Sequence, residues 1–410
     1  MNMQRTIGFE SSQHDSDATG SANTEAVVSA LRWMLLLTTV LVVFGLTMLY
    51  SASYGQAGLT YFKKQLLWVL LGIGAATTAF LVGYRKLAAW SPLWMGICFV
   101  ALMIAKFCFD PVKGGNRWLR LPGGVTIQPS EFAKIALILF IANYCSEHQR
   151  TFFRLRGRYG LLPMILPVAA VIGAILLGRD LGTTLLAVAT TSLALFAAGL
   201  HLRYMVFPIL FAALAGVFIY FFDPTRLGRV TTFLHPEAEG LRSGKGYQLW
   251  ISLMALGSGD WFGIGFMASR MKAKYLPEAH TDFILSVIGE ELGFVAMVIL
   301  ILLYSLWGFF ALRIALRAGN RIGTIMGFAL TCSITLQAAI NIAVVSGSIP
   351  TKGMPAPFIS CGGSNMIASL LAVGLLLSVA MDTLDPGYAE RIHDKIRRIF
   401  KRGGNADARR

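Results

Sequence analysis

A chain of 410 residues that is 55% hydrophobic and only 14% charged, with a mean hydropathy of +0.63, carries more apolar surface than a water-soluble core can hold. Its net charge of +15 lies in loops and a tail, not in a compact basic domain with interleaved aromatics, which argues against a nucleic-acid partner. Cys98, Cys108, Cys145, Cys332 and Cys361 are scattered without CxxC or His-adjacent spacing; they signal neither zinc nor a disulfide framework and read as packing residues.

Residues 1–29 are polar and mixed in charge, so the first apolar run reads as a signal anchor and not as a cleaved signal peptide. Runs long enough to cross ~30 Å of hydrocarbon as helix follow near 31–50, 65–83, 91–107, 129–145, 161–178, 183–200, 204–222, 283–312, 322–346 and 362–382. The expected fold is an all-α polytopic membrane protein of about ten transmembrane helices, with a membrane domain at 30–382. Loops on the N-terminal side carry 20 Lys and Arg against 8 in the short loops opposite, which places both termini in the cytoplasm.

The stretch at about 223–281 is too rich in Gly, Pro and charge to span. It is expected to be a long extracytoplasmic loop between the seventh and eighth helices, with an amphipathic piece from Tyr247 to Ala255. The tail at 383–410 sets Ile392, Ile396, Ile399 and Phe400 at helical spacing among Arg and Lys, a basic amphipathic helix for the anionic leaflet.

Charges within spans cost about 2.5–3.5 kcal/mol each at mid-helix and demand a partner or a purpose. Glu131 and Lys134 share one helix face, suited either to an ion pair or to a polar cavity. Asp180, after Arg179, suits a helix cap. The densest group is the run from Tyr275 to Gly293, which holds Glu278, His280, Asp282, Glu290 and Glu291. Asp282 falls at the water boundary, where it could cap the following helix or act as a general base. Upstream, Gly257-Ser-Gly-Asp-Trp-Phe-Gly-Ile-Gly265 lacks the context of a nucleotide loop and suits a backbone held tightly against a surface. Arg270, Lys272 and Lys274 suit a pyrophosphate or a solvated face. Ser346 to Ser364 reads as a re-entrant connection, tolerated only where protein or a polar cavity surrounds it.

These residues fall in a recognisable set: Asn116-Arg-Trp118, Gln128-Pro-Ser-Glu-Phe-Ala-Lys134, Asp180-Leu-Gly-Thr183, Gly246-Tyr-Gln248, Ala255-Leu-Gly-Ser-Gly259, Tyr275 to Gly293, and Lys352-Gly with Pro357 to Ser364. On them the chain resembles the SEDS family of peptidoglycan polymerases, its cell-division branch more than its elongation branch. The resemblance implies a ten-helix lipid II glycosyltransferase of the bacterial inner membrane, at the division septum, with Asp282 as the catalytic residue. It further implies substrate contacts at Arg117, Trp118, Glu131, Lys134, Glu278, His280, Lys352 and Ser364, and a leaving pyrophosphate met by Lys272 and Lys352 with Mg2+ or Mn2+. No organic cofactor is implied. The implied partners are a class B penicillin-binding protein and divisome regulatory proteins. The family usually has glycine where Asp260 stands, glutamine at Met271, Gln-Pro at Gly178-Arg179 and tyrosine at Cys361. Two other readings have their own motives: a lipid II flippase from Glu131 and Lys134, and a divisome scaffold from the basic tail and the loop from Arg150 to Arg158.

Overall fold

The computed structural model describes residues 3–111, 115–121, 125–154, 157–206, 246–274 and 279–392, with single positions at 210, 214, 233 and 394. Its helices are α1 (Met3–Ala57), α2 (Thr60–Val82), α3 (Tyr84–Ala89), α4 (Ser91–Phe107), α5 (Pro129–Glu147), α6 (Leu161–Leu177), α7 (Leu181–Ala197), α8 (Tyr247–Ser258), α9 (Met271–Lys274), α10 (Ile284–Leu316), α11 (Arg321–Val345) and α12 (Gly363–Leu384). Nine of the ten expected spans are helices among the described residues: α1, α2, α4 to α7 and α10 to α12. Most of the remaining one, 204–222, lies outside the described residues. Among the described residues, five helices have the length and apolarity to cross a membrane. The all-α expectation needs one amendment, a small antiparallel hairpin of β1 (Leu119–Leu121) and β2 (Val125–Ile127). Its three-residue strands are too short for a period-2 pattern to register.

Helices α11 and α12 form the centre, with 56% and 67% of their apolar windows buried by protein, against 22% for α2 and α10. The two outer helices face lipid with Leu, Ile and Phe, which costs nothing in a bilayer. Helix α2 is drawn onto α12 by small residues: a Cβ at Gly374 would lie 2.5 Å from Ala76 Cα, so the two backbones touch.

The connections divide between two ends. One end gathers a cluster around Asp382, which accepts hydrogen bonds from Tyr84 at 2.7 Å and Arg85 at 2.7 Å, while Tyr388 donates to Phe80 O at 2.8 Å. Burial, the largest influence there, pushes the Tyr84 phenol up to about 12. This cluster ties the start of the tail to α2 and α12. The other end carries the β-hairpin, the Arg179–Asp180 break, the loop after α8 and the re-entrant segment 346–362.

Candidate active site

Helix α10 is broken at its tenth residue. Gly293 takes φ 77° and ψ −174°, outside helical geometry, so the backbone groups around it lose their partners. The glycine-rich loop after α8 supplies replacements. The N–H groups of Ile264 and Gly265 donate to the carbonyls of Glu290 and Glu291 at 3.0 Å each, and those of Phe294 and Val295 donate to Asp260 and Trp261 at 2.8 and 3.1 Å. Such an approach admits no side chain: a Cβ would lie 1.9 Å from Gly289 O at Gly259, and 2.4 Å from Gly263 N at Gly293. The tight backbone expected at this loop is therefore pressed into a helix. Asp260 itself has φ 45°, which explains the family's usual glycine there and why aspartate, a residue that tolerates the left-handed region, can replace it.

Just below the loop, Glu290 and Glu291 are 1% and 0% exposed. Glu291 pairs with Lys272 at 2.5 Å and accepts from Ser51 of α1 at 2.6 Å and from the Met267 N–H at 3.0 Å. Glu290 accepts from Ser269 Oγ at 2.5 Å and from the Arg270 N–H at 2.9 Å. Lys272, expected to meet a pyrophosphate or a solvated face, turns inward instead. Its flexible stem carries the ammonium inward to a carboxylate nineteen residues away, and a buried carboxylate requires that charge.

Asp282 lies in the turn before α10, partly exposed. The N-cap of α10 is Phe283, with no side-chain capping bond, so Asp282 is not the helix cap. Its carbonyl accepts from Asn341 Nδ2 at 3.0 Å, and the same nitrogen donates to Met354 O at 2.6 Å. Gly353 presses against its carboxylate: a Cβ there would lie 2.8 Å from Asp282 Oδ2 and 3.8 Å from Arg117 Nη2. One aspartate and one guanidinium thus border the same point.

Arg117 is held in turn by Asp180, with Nη1 3.5 Å from Oδ1. Asp180 accepts from Gln128 Nε2 at 2.7 Å, from Ser130 Oγ at 3.3 Å and from the Thr183 N–H at 3.3 Å, the cap expected for α7. Lys352 reaches the same break, its Cδ 3.9 Å from where a Cβ on Gly182 would sit. The His280 ring packs on Tyr61 with centroids 4.3 Å apart, and its carbonyl accepts from the Cys361 N–H at 3.0 Å. Trp118 is half-buried beside Arg117. Arg117 Nε and Asn341 Oδ1 are buried without a hydrogen-bond partner, two polar atoms left to meet something else at this place.

Other expected contacts are placed differently. Glu131 and Lys134 form a buried ion pair at 2.9 Å, and Lys134 also donates to Gln337 at 2.8 Å, whose own amide reaches Pro355 O at 2.9 Å. Ser364 is buried and accepts from the Gln128 N–H at 2.8 Å. Glu278 lies outside the described residues. Asn341 was not anticipated, since a lone Asn in an apolar helix gives no motif. Among the described residues no three His, Cys, Asp or Glu side chains converge, and Arg117 stands beside the Asp282 carboxylate. The described residues form no all-protein cage for a divalent ion.

Long apolar helices with a polar constellation at one end define a multi-pass membrane protein. Residues 29–384 match the family described as "cell cycle protein", which groups FtsW, RodA and SpoVE, and the chain belongs to this family, the SEDS proteins. It is 37% identical over 355 residues to the probable peptidoglycan glycosyltransferase FtsW of Trichlorobacter lovleyi, covering 85% of this chain and 92% of that protein. Stage V sporulation protein E of Bacillus subtilis is likewise 37% identical over 355 residues, with 85% and 96% covered. A solved chain described under "Structural coordination of polymerization and crosslinking by a peptidoglycan synthase complex" superposes with a TM-score of 0.71 at 26% identity, covering 86% of this chain and 98% of that one. The crystal structure of Thermus thermophilus RodA shares the fold, with a TM-score of 0.63 at 24% identity over 85% of this chain and 96% of that one.

Proposed function

We propose that this chain is a peptidoglycan glycosyltransferase that polymerises lipid II at the outer face of the cytoplasmic membrane during septal wall synthesis. The observation that carries the reading is the shared point between the Asp282 carboxylate and the Arg117 guanidinium at the mouth of the broken helix. The relatives named as peptidoglycan glycosyltransferases give it its substrate class.

In this mechanism the 4-hydroxyl of the acceptor's terminal GlcNAc attacks C1 of the donor's MurNAc. Asp282 takes the hydroxyl proton as the C–O bond forms, and the bond to undecaprenyl pyrophosphate breaks with inversion. A sugar hydroxyl is a poor nucleophile near neutral pH, and a placed general base contributes about 10²- to 10⁴-fold. The departing pyrophosphate develops negative charge. Arg117 and Lys352 are the cations placed to offset it, through hydrogen bonds that strengthen as the bond breaks. Trp118 and His280 border the space for the sugars.

The re-entrant segment and α10 are fixed relative to one another by Asn341 and by the contact of Gly353 with Asp282, so the base does not depend on a mobile loop. A class B penicillin-binding protein is the natural partner, because glycan strands need crosslinking and a structural neighbour comes from a complex that couples polymerisation to crosslinking. Divisome regulatory proteins would act on this pair. Purified protein in proteoliposomes with labelled lipid II, with and without the partner, tests the reading. Glycan polymer is expected; headgroup translocation without polymer would instead identify a flippase.

A further inference from the structure

We propose that a trough between α1 and α2, floored by α12, seats the polyprenyl chain of the lipid-linked sugar. This placement rests on the glycosyltransferase reading and adds to it where the substrate's tail lies. Two adjoining cavities form the trough. The deeper, about 410 Å³, lies between Thr39 of α1, Thr77 of α2 and Val373 of α12. The shallower, about 470 Å³, is bordered by Tyr50, Phe62 and Phe266. Val43 and Leu46 border both, so the two are continuous along α1. The gap exists because the small-residue contact at Gly374 holds α2 against α12.

The lining selects the occupant. The hydroxyls of Thr39, Thr47 and Thr77 donate to the carbonyls of Leu35, Val43 and Ile73 at 3.0, 3.0 and 2.8 Å. Thr38, which also lines it, donates to Met34 O at 2.8 Å, so each threonine has its polar group satisfied on its own helix, and apart from Tyr50 the remaining lining is apolar. Such a wall rewards pure hydrocarbon. A continuous apolar groove along one helix suits a single flexible chain lying in it.

The trough also points at the chemistry. Its end nearest the site closes under the Tyr50 and Phe62 rings, with centroids 6.1 Å apart. Tyr61, the residue before Phe62, packs on His280, two residues before Asp282. A chain emerging here delivers its pyrophosphate beside the catalytic segment, which a bulk phospholipid has no reason to do.

The test is polymerisation kinetics of Thr39→Trp and Thr77→Trp, both at exposed positions, on lipid II carrying an undecaprenyl or a farnesyl chain. Thr78→Trp, exposed on α2 outside the trough, serves as the folding control. The trough variants are expected to raise KM for the undecaprenyl substrate tenfold or more and to leave farnesyl turnover within twofold of wild type. An unchanged undecaprenyl KM, or equal losses on both substrates with Thr78→Trp normal, would overturn the proposal. So would an unchanged KM accompanied by loss of the co-purifying transpeptidase, which would make the trough a partner's seat. Wild-type protein that polymerises neither substrate would sink the glycosyltransferase reading instead.

Discussion

Asn341 donates to the carbonyl of Asp282 at 3.0 Å and, with the same amide nitrogen, to that of Met354 at 2.6 Å. A single side chain in the middle of the fold thereby joins the turn that holds the carboxylate to the re-entrant segment that faces it. Loss of a buried hydrogen bond that leaves its partner unsatisfied costs about 1–3 kcal/mol. Asn341→Ala is accordingly expected to lower kcat roughly 5- to 150-fold with little change in KM, because the base is displaced and the substrate's binding surface is not. Steady-state polymerisation by folded protein checks this; a pure KM effect would place Asn341 among the binding groups.

Arg117 is expected to matter through its fork as much as its charge. One terminal nitrogen faces Asp180 at 3.5 Å while the other borders the point where Gly353 meets Asp282. Arg117→Lys keeps a cation but cannot serve both places, so kcat should fall about 10²-fold, near the cost of losing one transition-state donor. Activity within threefold of wild type would show that a point charge suffices.

Gly293 and Gly173 offer a matched pair of substitutions. At Gly293 a Cβ would lie 2.4 Å from Gly263 N with φ at 77°, whereas at Gly173, within α6, nothing lies within 4 Å. Gly293→Ala should expel the loop after α8 and destabilise the protein by more than about 2 kcal/mol, through strain and lost backbone bonds. Gly173→Ala should be neutral or stabilising by up to ~1 kcal/mol. Thermal unfolding in detergent reads both; equal effects would mean that the break in α10 is not held by this loop.

The ion pair of Lys272 and Glu291 makes a prediction that separates structure from chemistry. Lys272→Met leaves a buried carboxylate uncompensated, at about 3–5 kcal/mol, while Lys272→Met with Glu291→Leu removes both charges and should recover most of that stability. If Lys272 served the leaving group, the double variant would be stable yet inactive. The pairing in the structure predicts that activity returns with stability.

What the sequence discloses of this fold is what the bilayer enforces. A span must be about 17–25 apolar residues, so α4 and α5 were legible to within two residues at each end. The break at Gly293 was not, because Ile284 to Leu316 reads as one apolar run and the groups that repair the break lie some thirty residues upstream. Lys272 looked like a cation for a pyrophosphate or a solvated face for the same reason: its partners, Glu291 and Ser51, are remote in sequence. Asp282 and Asp180 stood out as charges in or beside spans and Lys352 within the re-entrant segment, whereas Arg117 came only with the family resemblance; the contacts among them, and the role of Asn341, required the chain to be folded.

The most direct measurement is the rate of glycan synthesis by Asp282→Asn protein, reconstituted with lipid II and the transpeptidase partner. Asparagine fills the same space and cannot take the proton, so the account predicts a fall of about 10²- to 10⁴-fold while lipid II binding persists. Glycan strands made at the wild-type rate by folded Asp282→Asn protein would contradict it.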